Sequence, residues 1–154
     1  MSQHKVNFLS APVRRLEKIT YWVIEDPELI YDFINTEIRK EWETDAKSEH
    51  RDSEADPWLR ALSKRKWNLE IIDIARIKLN PDIMNYADPE RGCVFSESLA
   101  ERSQELQESI KMGGVVISPL IVRGENAQLV DGYCRYATLK AMNVSRVYAY
   151  IGIL

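Results

Sequence analysis

The stretch that is most informative about the fold is Val130-Asp131-Gly132-Tyr133-Cys134-Arg135, where a short extended run meets the start of a helix. Residues 128–130 predict a buried strand, and Asp131-Gly132 interrupts it. The residues that follow, up to Met142, are mostly good helix formers, and Asn143 ends the series. The sequence therefore predicts strand, turn and helix in direct succession, with the opening turn of the helix at 132–135.

The opening turn of a helix is a suitable place for an anion. Its first backbone N–H groups have no partner inside the helix and together carry about half a positive charge. Gly132 lets the backbone come close to a ligand, and Arg135 adds a guanidinium. The pattern alone leaves two interpretations open, a phosphate site at 132–135 or a turn that only connects a strand to a helix.

Length and composition indicate one soluble domain. The 154 residues are 45% hydrophobic, enough for one sizeable core, and the net charge of −3 speaks against a chain that mainly holds DNA. No apolar run reaches the ~20 residues of a membrane span, and residues 1–10 lack a signal-peptide pattern. We expect a cytoplasmic protein without a membrane partner. Two cysteines and two histidines are too few for a disulfide framework or a Cys/His zinc site.

Residues 1–66 are predicted to be a mainly helical N-terminal extension. Asp26-Pro27 is a helix start, and the helix is predicted from apolar residues at every fourth position: Ile30, Ile34, Ile38 and Trp42. The charged segment 40–56 predicts a helix end and a loop. A second helix is expected from Asp56-Pro57 to about Lys66. Residues 13–24 fit both a helix and an alternating strand, and we predict a helix there.

Residues 67–154 are predicted to form a domain in which strands and helices alternate. We expect a strand, with or without a short turn, over 69–79 and a loop over 80–95. Ser98 and Glu101 form a capping-box pattern, which predicts a helix that begins there. Its buried side would carry Leu99, Leu106 and Ile110.

Gly113-Gly114 predicts the end of that helix. The β-branched run 115–122 predicts a strand, and residues 123–126 predict a hairpin turn that leads back into residues 128–130. The last strand is expected over 146–151.

The order of these elements resembles the ParB/sulfiredoxin superfamily of nucleotide-binding domains. Residues 71–81 look like the first strand of the family and the Asn-Pro turn after it. The other matching pieces are the helix 99–110, the Gly-Val and Ser-Pro strand 114–122, the motif 131–135 and the strand 146–151. The resemblance covers roughly residues 67–154. It implies an α/β (α+β) fold, a small mixed sheet flanked by helices, here with a helical N-terminal extension.

The resemblance also implies a nucleotide site on the opening turn of the helix. The nucleotide's phosphates would lie on Gly132, Tyr133, Cys134 and Arg135. Ser118 and Gly114 lie where the superfamily approaches the base and sugar. Asp131 would hold magnesium or orient Arg135, because hard cations prefer carboxylate and phosphate oxygens together. The implied cofactor is Mg²⁺ with ATP, ADP or CTP.

Asp-Gly-x-x-Arg at 131–135 further resembles the small-molecule kinase branch of the superfamily, of which free serine kinases are an example. That branch implies a magnesium-dependent phosphotransferase or nucleotide hydrolase with a small-molecule acceptor. Phosphoryl transfer needs chiefly positioning, charge neutralisation and one acid that accepts the hydroxyl proton. Asp82 and Glu90, in the polar loop, are the two expected bases, and the sequence does not choose between them.

Other functions stay open. Sulfiredoxins carry Gly-Cys-His-Arg at this turn, whereas Tyr133 here stands in place of their nucleophilic Cys and Cys134 in place of their His, which speaks against sulfinic-acid reduction. A ParB-like DNA-associated partition module with a nucleotide switch would use a basic cluster, which we interpret as solvated surface: Arg60, Lys64, Arg65 and Lys66. An inactive scaffold that binds another protein, or a homodimer, is also compatible with the sequence.

Overall fold

The structure is a computed structural model that describes residues 12–41, 62–85, 87–88 and 93–154. Within these residues eight strands and four α-helices follow one another. Trp42, the predicted helix start at Asp56-Pro57 and the expected base Glu90 lie outside the described residues. Asp82 lies in the short helix Pro81–Met84, of which the structure describes the backbone at this residue but not its side chain.

A β-hairpin opens the described part of the chain. Strand β1, Val13–Leu16, pairs antiparallel with β2, Ile19–Trp22, so the predicted helix over 13–24 is wrong. The alternating pattern prevails because Ile19 and Tyr21, on one face of β2, are buried in the core. The turn residues Glu17 and Lys18 both have positive φ, as in the turns that suit twisted strands.

Helix α1, Pro27–Phe33, begins where the sequence predicts it. The Asp26 side chain accepts a hydrogen bond of 2.8 Å from the Glu28 N–H, and Pro27 is the first helical residue. The helix continues as a π-helical turn, Ile34–Ile38, and its buried side includes Ile30, Ile34 and Ile38 as predicted. One apolar face therefore docks on the rest of the protein.

Strand β3, Lys66–Asp73, begins three residues before the predicted strand and ends in a 3₁₀ turn, Ile74–Arg76. The prediction that a helix reaches about Lys66 is therefore wrong, since Lys66 and Trp67 belong to β3. The expected loop 80–95 also contains regular structure: a one-turn helix α2, Pro81–Met84, and the two-residue strands β4, Ala87–Asp88, and β5, Cys93–Val94.

Helix α3, Phe95–Met112, begins before the predicted cap. Ser98 is therefore not an N-cap but lies inside the helix, with only 3% of its surface exposed. Leu99 is buried, and the later residues of the predicted apolar side pack against the same core: Leu106 and Ile110. The predicted end is confirmed, because Gly113 and Gly114 follow with φ of +86° and +81°.

The C-terminal elements follow the predicted order. Strand β6, Leu120–Arg123, is shorter than the predicted run because Pro119, which has no N–H, precedes it; Ile117 bridges to Tyr21 instead. A 3₁₀ turn at Glu125–Ala127 leads into β7, Leu129–Asp131, as the hairpin prediction requires. Helix α4, Tyr133–Ala141, and strand β8, Arg146–Ile153, complete the chain.

The central sheet has four strands in the order β3-β8-β6-β7. β8 is antiparallel to β3 and parallel to β6, and β7 is antiparallel to β6, so the predicted small mixed sheet is confirmed. One face packs on α1 through a cluster that includes Trp67, Ile121 and Tyr150. The other face packs on the β1–β2 hairpin, α3 and α4. Helices therefore flank the sheet on both faces, which confirms the predicted α/β class.

None of the helices in the described part of the chain combines the length and the apolar composition that a membrane-spanning helix needs.

Candidate functional site

The candidate site lies where β7 passes into α4. Gly132 is the residue before the helix and has φ of +101°, a conformation that L side chains rarely adopt. A Cβ atom at this position would lie 2.6 Å from a terminal guanidinium nitrogen of Arg135 and 2.9 Å from the side chain of Leu120. Glycine is thus required both by the backbone turn and by the side chain that lies across it.

The backbone of the first helical turn is arranged as the sequence predicts. The hydrogen-bond ladder of α4 begins with the Tyr136 N–H, which donates to the Gly132 carbonyl over 2.8 Å. Helix geometry places the amides of Cys134 and Arg135 before the start of this ladder. Cys134 is half-buried and its thiol is free. These amides and the dipole of α4 give the turn a positive electrostatic character.

Arg135 adds a full positive charge to the same turn. A terminal nitrogen of its guanidinium lies 3.3 Å from Oδ2 of Asp131, four residues earlier, and the other terminal nitrogen donates to the Ser118 hydroxyl. Nε is buried and has no hydrogen-bond partner in the described part of the chain. Ser118, Asp131 and Arg135 therefore form one contacting group, which combines residues that the sequence had assigned to two parts of a nucleotide site.

Two buried tyrosines lie within the field of Arg135. Burial raises the pKa of Tyr21 and of Tyr150 far above the ordinary value of a tyrosine. The positive charge of Arg135 lowers the pKa of both, by a smaller amount. The Tyr150 hydroxyl accepts a hydrogen bond of 3.0 Å from the Ile24 N–H. The guanidinium thus lies at the border between the core and the solvent, with 20% of its side chain exposed.

The Tyr133 side chain belongs to the core. It is 6% exposed, and its hydroxyl donates to the Leu129 carbonyl over 3.0 Å and accepts from the Asn80 N–H over 3.1 Å. Burial raises the pKa of Tyr133 to about 12, an effect that the hydrogen bond from Asn80 opposes. A contact between Tyr133 and a ligand would therefore come from its backbone.

The bond from Asn80 brings another predicted residue towards the site. Asn80 directly precedes helix α2, and Asp82 is the second residue of that helix. The start of α2 is therefore tied to the first residue of α4. Gly114 is not part of the Ser118–Asp131–Arg135 group: no hydrogen bond or ion pair joins it to them in the part of the chain that the structure describes.

The donors at this turn suit a phosphate better than a metal ion alone. Three acidic, cysteine or histidine side chains close enough to hold a metal do not occur among residues 12–41, 62–85, 87–88 and 93–154. Asp131 is a single carboxylate, so Mg²⁺ would take its other ligands from phosphate oxygens and water. The guanidinium and the helix amides fit the phosphates of such a complex.

Of the predicted basic cluster, Arg60 lies outside the described residues, Lys64 and Lys66 are exposed, and Arg65 is buried. Arg65 is 6% exposed, and its guanidinium binds both carboxylate oxygens of Glu125, at 2.8 and 2.9 Å, and the Gly152 carbonyl, at 3.0 Å. It cannot contact DNA in this position, so the interpretation of Arg65 as solvated is wrong. The sequence gives no signal for this pair, because its members are 60 residues apart.

Comparison with known proteins gives a likeness of fold. No family model and no curated protein matches the chain. A structure described as the C2221 form of the Pnob8-like ParB-N domain matches 58% of this chain and 30% of its own, at 18% identity and a TM-score of 0.41. A second structure of the pNOB8-like ParB N-domain matches 58% and 29%, at 16% identity and a TM-score of 0.40. This chain thus spans less than a third of the length of either of the two structures that it matches.

At these identities and TM-scores the two matches amount to a partial likeness of fold and carry no conclusion about function.

Proposed function

We propose that the turn from β7 into α4 binds the phosphates of a nucleotide, and that the protein uses the nucleotide as a magnesium-dependent phosphotransferase or hydrolase. One observation supports the proposal most: the Arg135 guanidinium lies across Gly132, at the positive end of α4. A cation beside a helix N-terminus is unfavourable by itself, because both are positive, and Asp131 offsets part of this repulsion in the free protein. An anionic ligand would be attracted both by the guanidinium and by the helix N-terminus.

The roles of the individual residues follow from their positions. The amides that precede the ladder of α4 would donate to phosphate oxygens, and Arg135 would offer a fork of donors to the same group. Ser118 would orient the guanidinium, since its hydroxyl already accepts from it. Asp131 would face a magnesium ion held between itself and the phosphates. The chain's own contribution is thus to position the phosphates and neutralise their charge.

The transfer step needs a base for the acceptor. The attacking oxygen of a small-molecule hydroxyl, or of water, would form a bond to the terminal phosphorus while the bond to the nucleoside diphosphate breaks, and a carboxylate would take the proton. Asp82 remains one proposed base, because α2 begins next to the first residue of α4. Glu90 remains the other. ADP release from ATP, measured for Asp82→Asn and Glu90→Gln, would distinguish them.

Calorimetric titration with ATP, ADP and CTP, with and without Mg²⁺, tests the proposed site. We expect Arg135→Ala to weaken binding at least about tenfold, since hydrogen bonds to a charged group contribute about 1.5–3 kcal/mol. Arg15→Ala, an exposed position in β1, is the matched control and should bind like the wild type. Thermal unfolding of each variant checks that it is folded. Equal binding by wild type and Arg135→Ala would contradict the proposal, as would no binding of any nucleotide.

The DNA-associated alternative loses one of its predicted contacts, since Arg65 is buried against Glu125. The nucleotide proposal is therefore preferred. Titration with a DNA duplex at several salt concentrations would test the alternative, because binding through phosphates weakens steeply as salt rises.

A further inference from the structure

Both terminal nitrogens of the Arg135 guanidinium are already engaged. One donates to Ser118, and the other lies 3.3 Å from the Asp131 carboxylate. A phosphate that binds Arg135 through two parallel hydrogen bonds would use the same two nitrogens, each of which carries a second N–H, and would share the charge of the guanidinium with Asp131. The Asp131 carboxylate contacts the guanidinium through one oxygen and one nitrogen, and its negative charge acts on Arg135 as that of a ligand would.

We infer that Asp131 is an internal competitor of the ligand: its carboxylate neutralises Arg135 in the free protein and competes with a phosphate group for the guanidinium. This inference rests on the proposed function, since it concerns the same site. Without magnesium Asp131 acts only as a competitor, which weakens ligand binding. With magnesium it would also hold the ion, which strengthens binding.

The surroundings permit the exchange. The side chain of Asp131 is 26% exposed and that of Arg135 is 20% exposed, so the carboxylate can turn towards water without crossing the core. Ser118 holds the other nitrogen and would keep the guanidinium in place during the exchange. A phosphate also gains the amides at the start of α4, and its larger negative charge favours it over the carboxylate.

The competitor lowers the affinity of the site for every anion by the same factor, because the cost of freeing Arg135 from Asp131 does not depend on the ligand. A di- or triphosphate brings several charges and several acceptor oxygens, so its intrinsic affinity is the largest. Asp131 would thus set a threshold that a polyphosphate passes at a lower concentration than inorganic phosphate or a small carboxylate.

Asp131→Asn tests the inference, because the amide keeps the shape of the side chain and removes its charge. The probes are inorganic phosphate and ATP, each without magnesium, in calorimetric titration. We expect binding about fivefold tighter than in the wild type, the factor that corresponds to a partly exposed ion pair of about 1 kcal/mol. The relative gain should be similar for inorganic phosphate and for ATP, because both bind the same freed guanidinium. Asp131→Glu, which keeps the charge, should bind like the wild type.

Asp73→Asn is the matched control. It lies at the exposed end of β3, on the opposite edge of the sheet from β7, and should leave both affinities unchanged. Equal or weaker binding by Asp131→Asn would overturn the inference. If Arg135→Ala still abolished binding in that case, the proposed site would stand while the competitor role failed. Absence of binding in the wild type and in Asp131→Asn would overturn both.

Discussion

At the scale of single residues, Gly132 is the position of the site that is least tolerant of substitution. Its φ of +101° strains any other residue, and the space beside its Cα is already filled by Arg135 and Leu120. Gly113 has a similar φ of +86°, yet a Cβ there would meet nothing within 4 Å. A comparison of the same substitution at the two glycines therefore distinguishes the cost of backbone strain from the cost of crowding.

We expect Gly113→Ala to lower the free energy of unfolding by about 1 kcal/mol, from backbone strain alone. Gly132→Ala should cost about 1–3 kcal/mol more, because an added methyl group meets packed neighbours. Urea unfolding of both variants measures the difference. Equal costs would show that the side chains of Arg135 and Leu120 move aside without cost, and would contradict the expected crowding beside Gly132.

The sequence predicts the members of the proposed site but not their contacts. Asp131, Gly132 and Arg135 follow from a local pattern, since a strand-breaking pair followed by helix formers fixes the turn. The contact between Arg135 and Ser118 joins positions 17 residues apart and depends on how β6 lies beside β7. No spacing rule connects two such residues before the strands have paired.

At the scale of elements, strands β3 and β8 form the longest pairing, eight residues on each side. Trp67 and Gly152 face each other in it, and a Cβ at position 152 would lie 2.7 Å from the six-membered ring of the indole. Trp67 is 1% exposed, so its ring cannot move aside into solvent. Glycine at 152 makes room for the tryptophan.

Gly152→Ala should therefore lower the free energy of unfolding by about 1–3 kcal/mol through overpacking. Trp67→Phe removes the outer part of the indole that the added methyl group would meet. The double variant should therefore lose less free energy of unfolding than the sum of the losses in the two single variants. Chemical unfolding followed by circular dichroism provides the four values of this cycle. Strict additivity would mean that position 152 does not press on the indole.

The predicted elements differ from the observed ones where two periodicities compete. Residues 13–24 fit both a helix and a strand, and the hairpin forms because β2 gains long-range hydrogen-bond partners. The Trp22 N–H donates to the Ile117 carbonyl, and the Ile117 N–H donates to the Thr20 carbonyl, each over 3.0 Å. Glu17, in its turn, accepts hydrogen bonds from Ser145 and from the Arg146 N–H. Helix α1, by contrast, carries its own start signal and one apolar side.

At the scale of the whole molecule, the Arg65–Glu125 pair joins distant parts of the sheet. Arg65 precedes β3, Glu125 lies in the turn between β6 and β7, and the Gly152 carbonyl on β8 accepts from the same guanidinium. The hydrogen bond from Arg65 is the main reason why the pKa of Glu125 lies below its ordinary value of 4.5. The pair thus fixes the ends of three strands relative to one another.

A lowered folded-state pKa gives the sign of the pH dependence. The stabilisation by Glu125 is complete above the unfolded-state pKa and is lost as the pH falls through the lower folded-state pKa. We expect Glu125→Gln to be less stable than the wild type at pH 7 by about 1 kcal/mol, since the carboxylate is partly exposed and screened by water. This difference should shrink when the pH falls to about 3.

Urea unfolding at both pH values provides the measurement, with Glu108→Gln as the control at an exposed position of α3. A difference between the wild type and Glu125→Gln that stays constant between the two pH values would contradict the role of the carboxylate charge.

The sequence by itself determined the features that depend on neighbours a few residues apart. These include the start of α1 at Asp26-Pro27, the end of α3 at Gly113 and the passage from β7 into α4, because caps, glycines and apolar periodicity act within one or two turns of chain. Only the tertiary structure decided the hairpin at 13–22, the burial of Arg65 against Glu125 and the hold of Ser118 and Asp131 on Arg135. Most of these contacts join residues far apart in the chain, and their energies exist only once the sheet has brought the partners together.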